Sequence, residues 1–238
     1  AIIAATAIAV APVEAQTRKK PYVYTTQTNA PVNRPRARVT VAPRSFLGRK
    51  LGIGAGRRFG GERGGSAGEA DKLPFKSNTF DRAFVSFSLH HFGNPSGVVG
   101  EVLRVLKNSG RFVVLDPILE EAKDSVDIAL ETKINQVFRR THGDDFRFHT
   151  ASSIQRLLTK AGYRVPRCNV LSFSFNQEGM DGIPTGRHWL EAALELEKEA
   201  PELAERMKKN YFTWHAHGDH VHVKGSFSYA LITGVKPA

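Results

Sequence analysis

Residues 69–238 predict an α/β fold on a mostly parallel sheet, and three observations carry that expectation. Residues 80–116 read as a strand, helix, strand unit. The second of those strands, residues 111–116 (RFVVLD), does not alternate polar and apolar, which is the pattern of a parallel-sheet strand covered on both faces. Helical and strand-like periodicities then continue to alternate downstream, as a layered α/β domain requires.

Each element has its own signal. Residues 80–88 (FDRAFVSFS) combine β-branched and aromatic side chains as a buried strand does. Residues 97–106 place Val98, Val99, Val102, Leu103, Val105 and Leu106 around a helix, and Asn108-Ser109-Gly110 is expected to end it with a left-handed residue. Val126, Leu130, Ile134, Val137 and Phe138 share one face of a following helix. Thr150 is placed to cap another, with Ile154, Leu157, Leu158 and Ala161 as its apolar face and Gly162 as its stop. Strands are expected at residues 169–175 and 225–235, with a helical pair at 187–199 and 201–211 between them. Pro201 suits the first turn of the second helix, where no amide hydrogen is needed.

A chain of 238 residues, 41% of them hydrophobic, is long enough for one sizeable domain. Its single cysteine, Cys168, excludes an internal disulfide or a cysteine-based zinc site. The net charge of +11 would suggest an anionic partner if it lay on the folded surface. It does not: residues 1–68 hold 12 Lys and Arg against Glu14 and Glu62 alone, whereas residues 69–238 hold 22 against 21 acids. No nucleic-acid partner is expected for the folded domain.

The first 15 residues are small and apolar and end in Val13-Glu14-Ala15, a signal-peptide pattern without its basic start, and too short to span a bilayer. Residues 16–47 carry four prolines and many arginines with few large aliphatics, so they cannot bury enough surface to offset their ordering entropy. The organisation expected is a signal-like and disordered basic head at 1–47, similar to the start of small secreted bacterial proteins, and a domain at 48–238.

The residues that carry a resemblance are GEADKLPFKSNTFDRAFVSFSLHHF followed by EVLRVLKNSGRFVVLDPI. They resemble the middle of class I, Rossmann-like, S-adenosylmethionine-dependent methyltransferases, with an acidic-Ala pair, an LPF turn, an FD-initiated strand, a histidine-bearing loop and an RVLKPGG-like turn. Looser similarity at GDDFRFHTASSIQRLLTKAGY and SFSYALITGVK extends over about 170 residues, and implies that the last strand closes the sheet antiparallel.

The resemblance implies methyl transfer from S-adenosylmethionine to a small-molecule acceptor and a cytoplasmic location, or an exported one if the signal-like head is genuine. It places Glu69 against the adenine amino group, with Ala70 offering a backbone contact. Ser86, Ser88 and Leu89 would line the methionine side, and His90 and His91 the substrate pocket. No catalytic residue or metal is implied. Asp116, Asp144, Asp145, Arg147 and His149 are available to orient an acceptor, although capping or ion pairing explains them equally well. Residues 177–224 are the expected helical cover over the substrate.

The front of the pattern is degenerate. The nearest match to the glycine-rich cofactor turn is LGIGAG, with Gly52, Gly54 and Gly56; Gly52 stands where an acid belongs and Arg58 near the place of a third glycine. Gly54 lies only 15 residues before Glu69, too few for the strands and helices that normally intervene. A sheet truncated in its N-terminal half is therefore expected, and a non-catalytic remnant of the fold is the alternative. A second alternative lies in HAHGDHVH at 215–222, where His215, His217, Asp219 and His220 follow the HxHxDH order similar to the metallo-β-lactamase superfamily. The bland reading of that stretch is a polar loop.

Overall fold

The computed structural model describes residues 70–73, 75–217 and 220–238; the side chain of His217 is also outside the described set. Ten regular elements follow in order: β1 (Phe80–Ser86), α1 (Pro95–Val105), β2 (Leu106–Ile118), α2 (Ser125–His142), α3 (Ala151–Lys160), β3 (Arg164–Glu178), α4 (Gly186–Glu199), α5 (Pro201–Asn210), β4 (Phe212–His217) and β5 (His220–Val235). A 3-10 turn at Leu89–His91 stands between β1 and α1. In the sheet the order is β1-β2-β5-β3, with β4 also paired to β5. The α/β class expected from the sequence is what the chain adopts.

The chain separates into two compact units, to which β2, β3, β5 and α3 each contribute at both ends. The first holds the described residues up to Leu115 with Gln155–Arg167 and Ile232–Ala238. Here β1 and β2 pair in parallel, Ala83 opposite Phe112 and Val85 opposite Val114. The helix between them begins at Pro95, and the Asn94 side chain accepts from the Gly97 amide at 3.0 Å, satisfying one of the orphan donors of its first turn. Val98, Val99, Val102 and Val105 form its buried face. Each fully buried valine stabilises the fold by roughly 1.5–3 kcal/mol.

The expected stop at Asn108-Ser109-Gly110 is not where α1 ends. Leu106 already has extended backbone and opens β2, and the three residues form an irregularity inside that strand. Between Phe80 opposite Leu106 and Arg82 opposite Arg111 the register jumps. Ser109, at φ +60°, takes the left-handed position, while glycine is needed at 110 because a Cβ there would stand 2.6 Å from the Lys107 carbonyl. The last strand locks onto this point: Ser109 N donates to Lys236 O at 3.1 Å and Lys236 N to Gly110 O at 2.9 Å.

The second unit is Asp116–Ile154 with Cys168–Leu231. Its core gathers Leu130, Ile134 and Phe138 of α2, Trp189 and Leu196 of α4, Met207 of α5 and Phe212, Val223 and Phe227 of the strands. Aromatic rings carry the packing, with centroids 4.8 Å apart for Phe138 and Phe148 and 4.6 Å for Trp189 and Phe227. Charged pairs tie the helices: Arg206 holds Asp124 and Asp127, each at 2.8 Å, and Lys133 holds Glu195 and Glu199 at 3.1 and 2.8 Å. Ser228 Oγ donates to Glu120 Oε1 at 3.0 Å, just past the end of β2. Because residue 236 meets the start of β2 and residue 228 its end, β5 runs antiparallel to β2, as the resemblance implied.

The sequence missed β4. Residues 212–217 pair antiparallel with the start of β5, so the stretch read as a histidine-rich loop is the arms of a hairpin. Helical periodicity ends at Asn210, and the short strand that follows has only two core residues, Phe212 and Trp214, too few to register as a pattern. Within the expected helical cover at 177–224, α4 and α5 account for the helices, with the end of β3 and an irregular stretch before them and the hairpin strands after.

Candidate active site

Of the candidate cofactor residues that fall among the described ones, Ser86, Ser88 and Leu89 lie at the carboxyl end of β1 and Ala70 lies before that strand, all in the first unit. In open α/β sheets, ligands bind outside the carboxyl ends of the strands. Ser86 is the last residue of β1, and Phe87 then turns the chain with φ +50°, its amide donating to Leu115 O at 2.8 Å. A bulky residue at positive φ is uncommon and marks a backbone held by its surroundings. Ser88 Oγ donates to Ser86 O at 2.9 Å, and His91 N to Ser88 O at 3.0 Å, closing the 3-10 turn.

Burial within this turn differs from the simplest expectation of side chains lining a pocket. Ser88, Leu89 and His90 are buried, whereas Ser86 and His91 are half-buried. Leu89 is a core residue, so what this turn presents to a ligand is backbone together with the flanking side chains. The His90 and His91 rings lie 4.3 Å apart, the second at the more open position.

Ala70 is buried at the start of the segment that precedes β1. That segment is latched to α1. Leu73 N donates to Glu101 Oε2 at 2.9 Å, and Arg104 donates to Leu73 O at 3.0 Å and Phe75 O at 2.8 Å. Arg104 also pairs with Glu101 at 2.8 Å, and its guanidinium, with the Leu73 amide, holds the Glu101 carboxyl below its ordinary range. In the sequence these two residues read as an ordinary helical surface pair at i, i+3, and nothing there signals that they hold a loop. Asn94 Nδ2 reaches Asp71 at 3.3 Å and adds a second tie.

Gly52, Gly54, Gly56 and Glu69 lie outside the described residues. The described half fits the cofactor expected: a tightly turned backbone at the carboxyl end of a parallel strand, with a fixed loop leading into it. The residues suggested for orienting an acceptor differ in burial and partners. Asp116 is buried in β2, Asp144 and Asp145 are exposed, and Arg147 pairs loosely with Glu131 at 3.5 Å. His149 O accepts from Leu119 N at 2.9 Å, a structural bridge beside Ile118.

The order β1-β2-β5-β3 with an antiparallel β5 belongs to a Rossmann-like α/β fold, and residues 55–114 match the family described as Methyltransferase domain. A Bacillus halodurans protein described as a candidate methyltransferase superposes with a TM-score of 0.55 at 21% identity, over 72% of this chain and 70% of that one. The YcgJ protein of Bacillus subtilis superposes with a TM-score of 0.51 at 23% identity and the same coverage. In sequence, the uncharacterized methyltransferase YcgJ is 40% identical over 60 residues, which is 23% of this chain and 24% of the relative. The demethylmenaquinone methyltransferase of Corynebacterium kroppenstedtii is 44% identical over 50 residues, 21% of this chain and 22% of the relative. The chain thus aligns with less than a quarter of these curated relatives' length.

Among the described residues no helix is long and apolar enough to cross a membrane.

Proposed function

We propose that the chain transfers a methyl group from S-adenosylmethionine to a small-molecule acceptor. The observation that carries this reading is the turn after β1, where Phe87 is held left-handed and the Ser88 hydroxyl ties back to Ser86. It falls inside the segment that matches the methyltransferase domain. Bound there, S-adenosylmethionine supplies an electrophilic methyl on its sulfonium. The chain's own part is alignment: the backbone of residues 86–91 fixes the cofactor's methionine end, Glu69 accepts from the adenine amino group, and His90 and His91 border the acceptor. Alignment of this kind is worth effective molarities of about 10⁵ M or more.

Menaquinone-type acceptors, named for relatives of 41–44% identity over short stretches, are an example of the class. A fold that has lost turnover is the second reading. The 15-residue interval between Gly54 and Glu69 favours it, because that interval is short for a complete cofactor wall.

Calorimetric titration of the full chain with S-adenosylhomocysteine, beside a Glu69→Ala variant, separates the two. Micromolar binding that disappears in the variant supports the transferase and justifies an acceptor screen. A folded protein that takes up none of it supports the second reading.

A further inference from the structure

Two features that rarely coincide meet at Phe87, just past the carboxyl end of β1. Its backbone is left-handed, at φ +50°, and the residue is 37% exposed. A bulky side chain seldom adopts positive φ, and such strain persists only where the surroundings impose it. Here they do: the Phe87 amide donates to Leu115 O at 2.8 Å, and the Ser88 hydroxyl ties back to Ser86 O at 2.9 Å. A lone exposed apolar residue is ordinary on a protein surface. An aromatic one presented by a strained backbone, at the end of a parallel strand where ligands bind, is not. Every other large apolar residue exposed among the described ones belongs to the second unit.

The surrounding chain also has a distinctive composition. Residues 83–100 (AFVSFSLHHFGNPSGVVG) contain no Asp, Glu, Lys or Arg. Beside Phe87 stand His90 and the half-buried His91, their rings 4.3 Å apart. This turn offers ring surface and imidazole nitrogens, and no permanent charge to hold a carboxylate, a phosphate or an ammonium group. A charged acceptor would give up hydration here without a paired charge in return.

We infer that Phe87 determines acceptor specificity: its ring is the stacking surface for the methyl acceptor, and that acceptor is a planar, uncharged aromatic molecule. The inference rests on the transferase reading and deepens it by naming the substrate class and the residue that selects it. Stacking removes apolar area of both partners from water and adds a ring-to-ring contact beyond what the area supplies. The strained backbone has a use in this role, because a residue already fixed by its amide loses little freedom when the acceptor arrives.

The test is fluorescence titration of the full chain with naphthol, an uncharged flat ring system, and with naphthoate, its charged counterpart. Saturable naphthol binding is expected, weakened at least about tenfold in Phe87→Ala. In Phe87→Leu, which keeps apolar volume without a ring, it is weakened about threefold or more, whereas Phe87→Tyr stays within about threefold of wild type. Naphthoate is expected to bind the wild type at least about tenfold more weakly than naphthol. All three variants keep a Cβ at residue 87 and so share its backbone strain, and urea midpoints measured beside the titrations identify any variant that simply unfolds. A ring with only a structural role tolerates leucine better than tyrosine, with affinity following the midpoint, and that order overturns the proposal. So does an absence of naphthol binding, or equal binding of naphthoate. S-adenosylhomocysteine titration of the wild type separates this inference from the reading beneath it. Cofactor uptake with naphthol binding indifferent to residue 87 overturns the specificity role alone, and naphthol binding that depends on Phe87 without cofactor uptake overturns the transferase reading alone.

Discussion

Arg104, in the last turn of α1, donates to the backbone carbonyl of Leu73 at 3.0 Å, while Glu101 accepts the Leu73 amide at 2.9 Å. One residue of the loop is thus held at both its polar groups by a salt-bridged pair. Arg104→Ala removes the donor and leaves the Leu73 and Phe75 carbonyls and Glu101 without it. Unfolding in urea is expected to show a loss of roughly 1–3 kcal/mol. Under the proposed function, S-adenosylhomocysteine affinity falls as well, because the loop leads into Glu69. Unchanged stability would show that the latch is replaced by water.

Gly225 sits against the turn that joins α5 to β4. An added Cβ would stand 2.2 Å from the Tyr211 carbonyl and 2.3 Å from the Phe212 Cβ, neither at the end of a flexible side chain. Gly225→Ala is expected to destabilise the fold by at least about 1–3 kcal/mol and to loosen the hairpin. The measurement is the urea midpoint together with amide exchange along β4 and β5.

Phe138 touches Phe146, Phe148 and Trp189 within 5.4 Å of ring centroids and is fully buried. Phe138→Ala is expected to cost about 3–5 kcal/mol, transfer and cavity together. Phe138→Leu, which keeps part of the volume, is expected to cost less. Equal losses in the two would mean that the site collapses around either residue.

Glu195 is hydrogen-bonded by Arg140 and, next, by Lys133, and these hold its carboxyl down from 4.5 to about 2. A folded-state value below the unfolded one means stability that is complete above 4.5 and lost as pH falls toward about 2. Arg140→Ala removes the larger cause. The stability difference between wild type and Arg140→Ala is therefore expected to be largest above 4.5 and to shrink as pH falls toward about 2. Denaturant titrations across that window check it, and a difference that grows on acidification would refute the assignment.

Much of the fold was legible in local pattern. The β1, α1, β2 unit, the start and end of α4 and the start of α5 at Pro201 all lie within two residues or so of where periodicity, Pro and Gly place them, apart from the strand start at 106. The apolar spacing of Val98, Val99, Val102 and Val105 decides a helix whatever surrounds it. Glu69, Ser86, Ser88 and Leu89 were singled out as cofactor candidates only because their neighbours resemble a family pattern, since a lone acid or serine has no periodicity.

Tertiary structure alone decided the rest, because it depends on pairing between distant residues. The end of α1 was misplaced because Lys236, far along the chain, fixes Ser109 and Gly110 as part of a strand. The histidines at 215–222 became a hairpin because β5 supplies partners for a short strand that has little pattern of its own. Glu101 and Arg104 acquired a role only when the loop at Leu73 folded back onto α1. Sequence determines what local spacing and torsional preference can specify; long-range hydrogen bonds and strand register settle which of those local choices meet at a site.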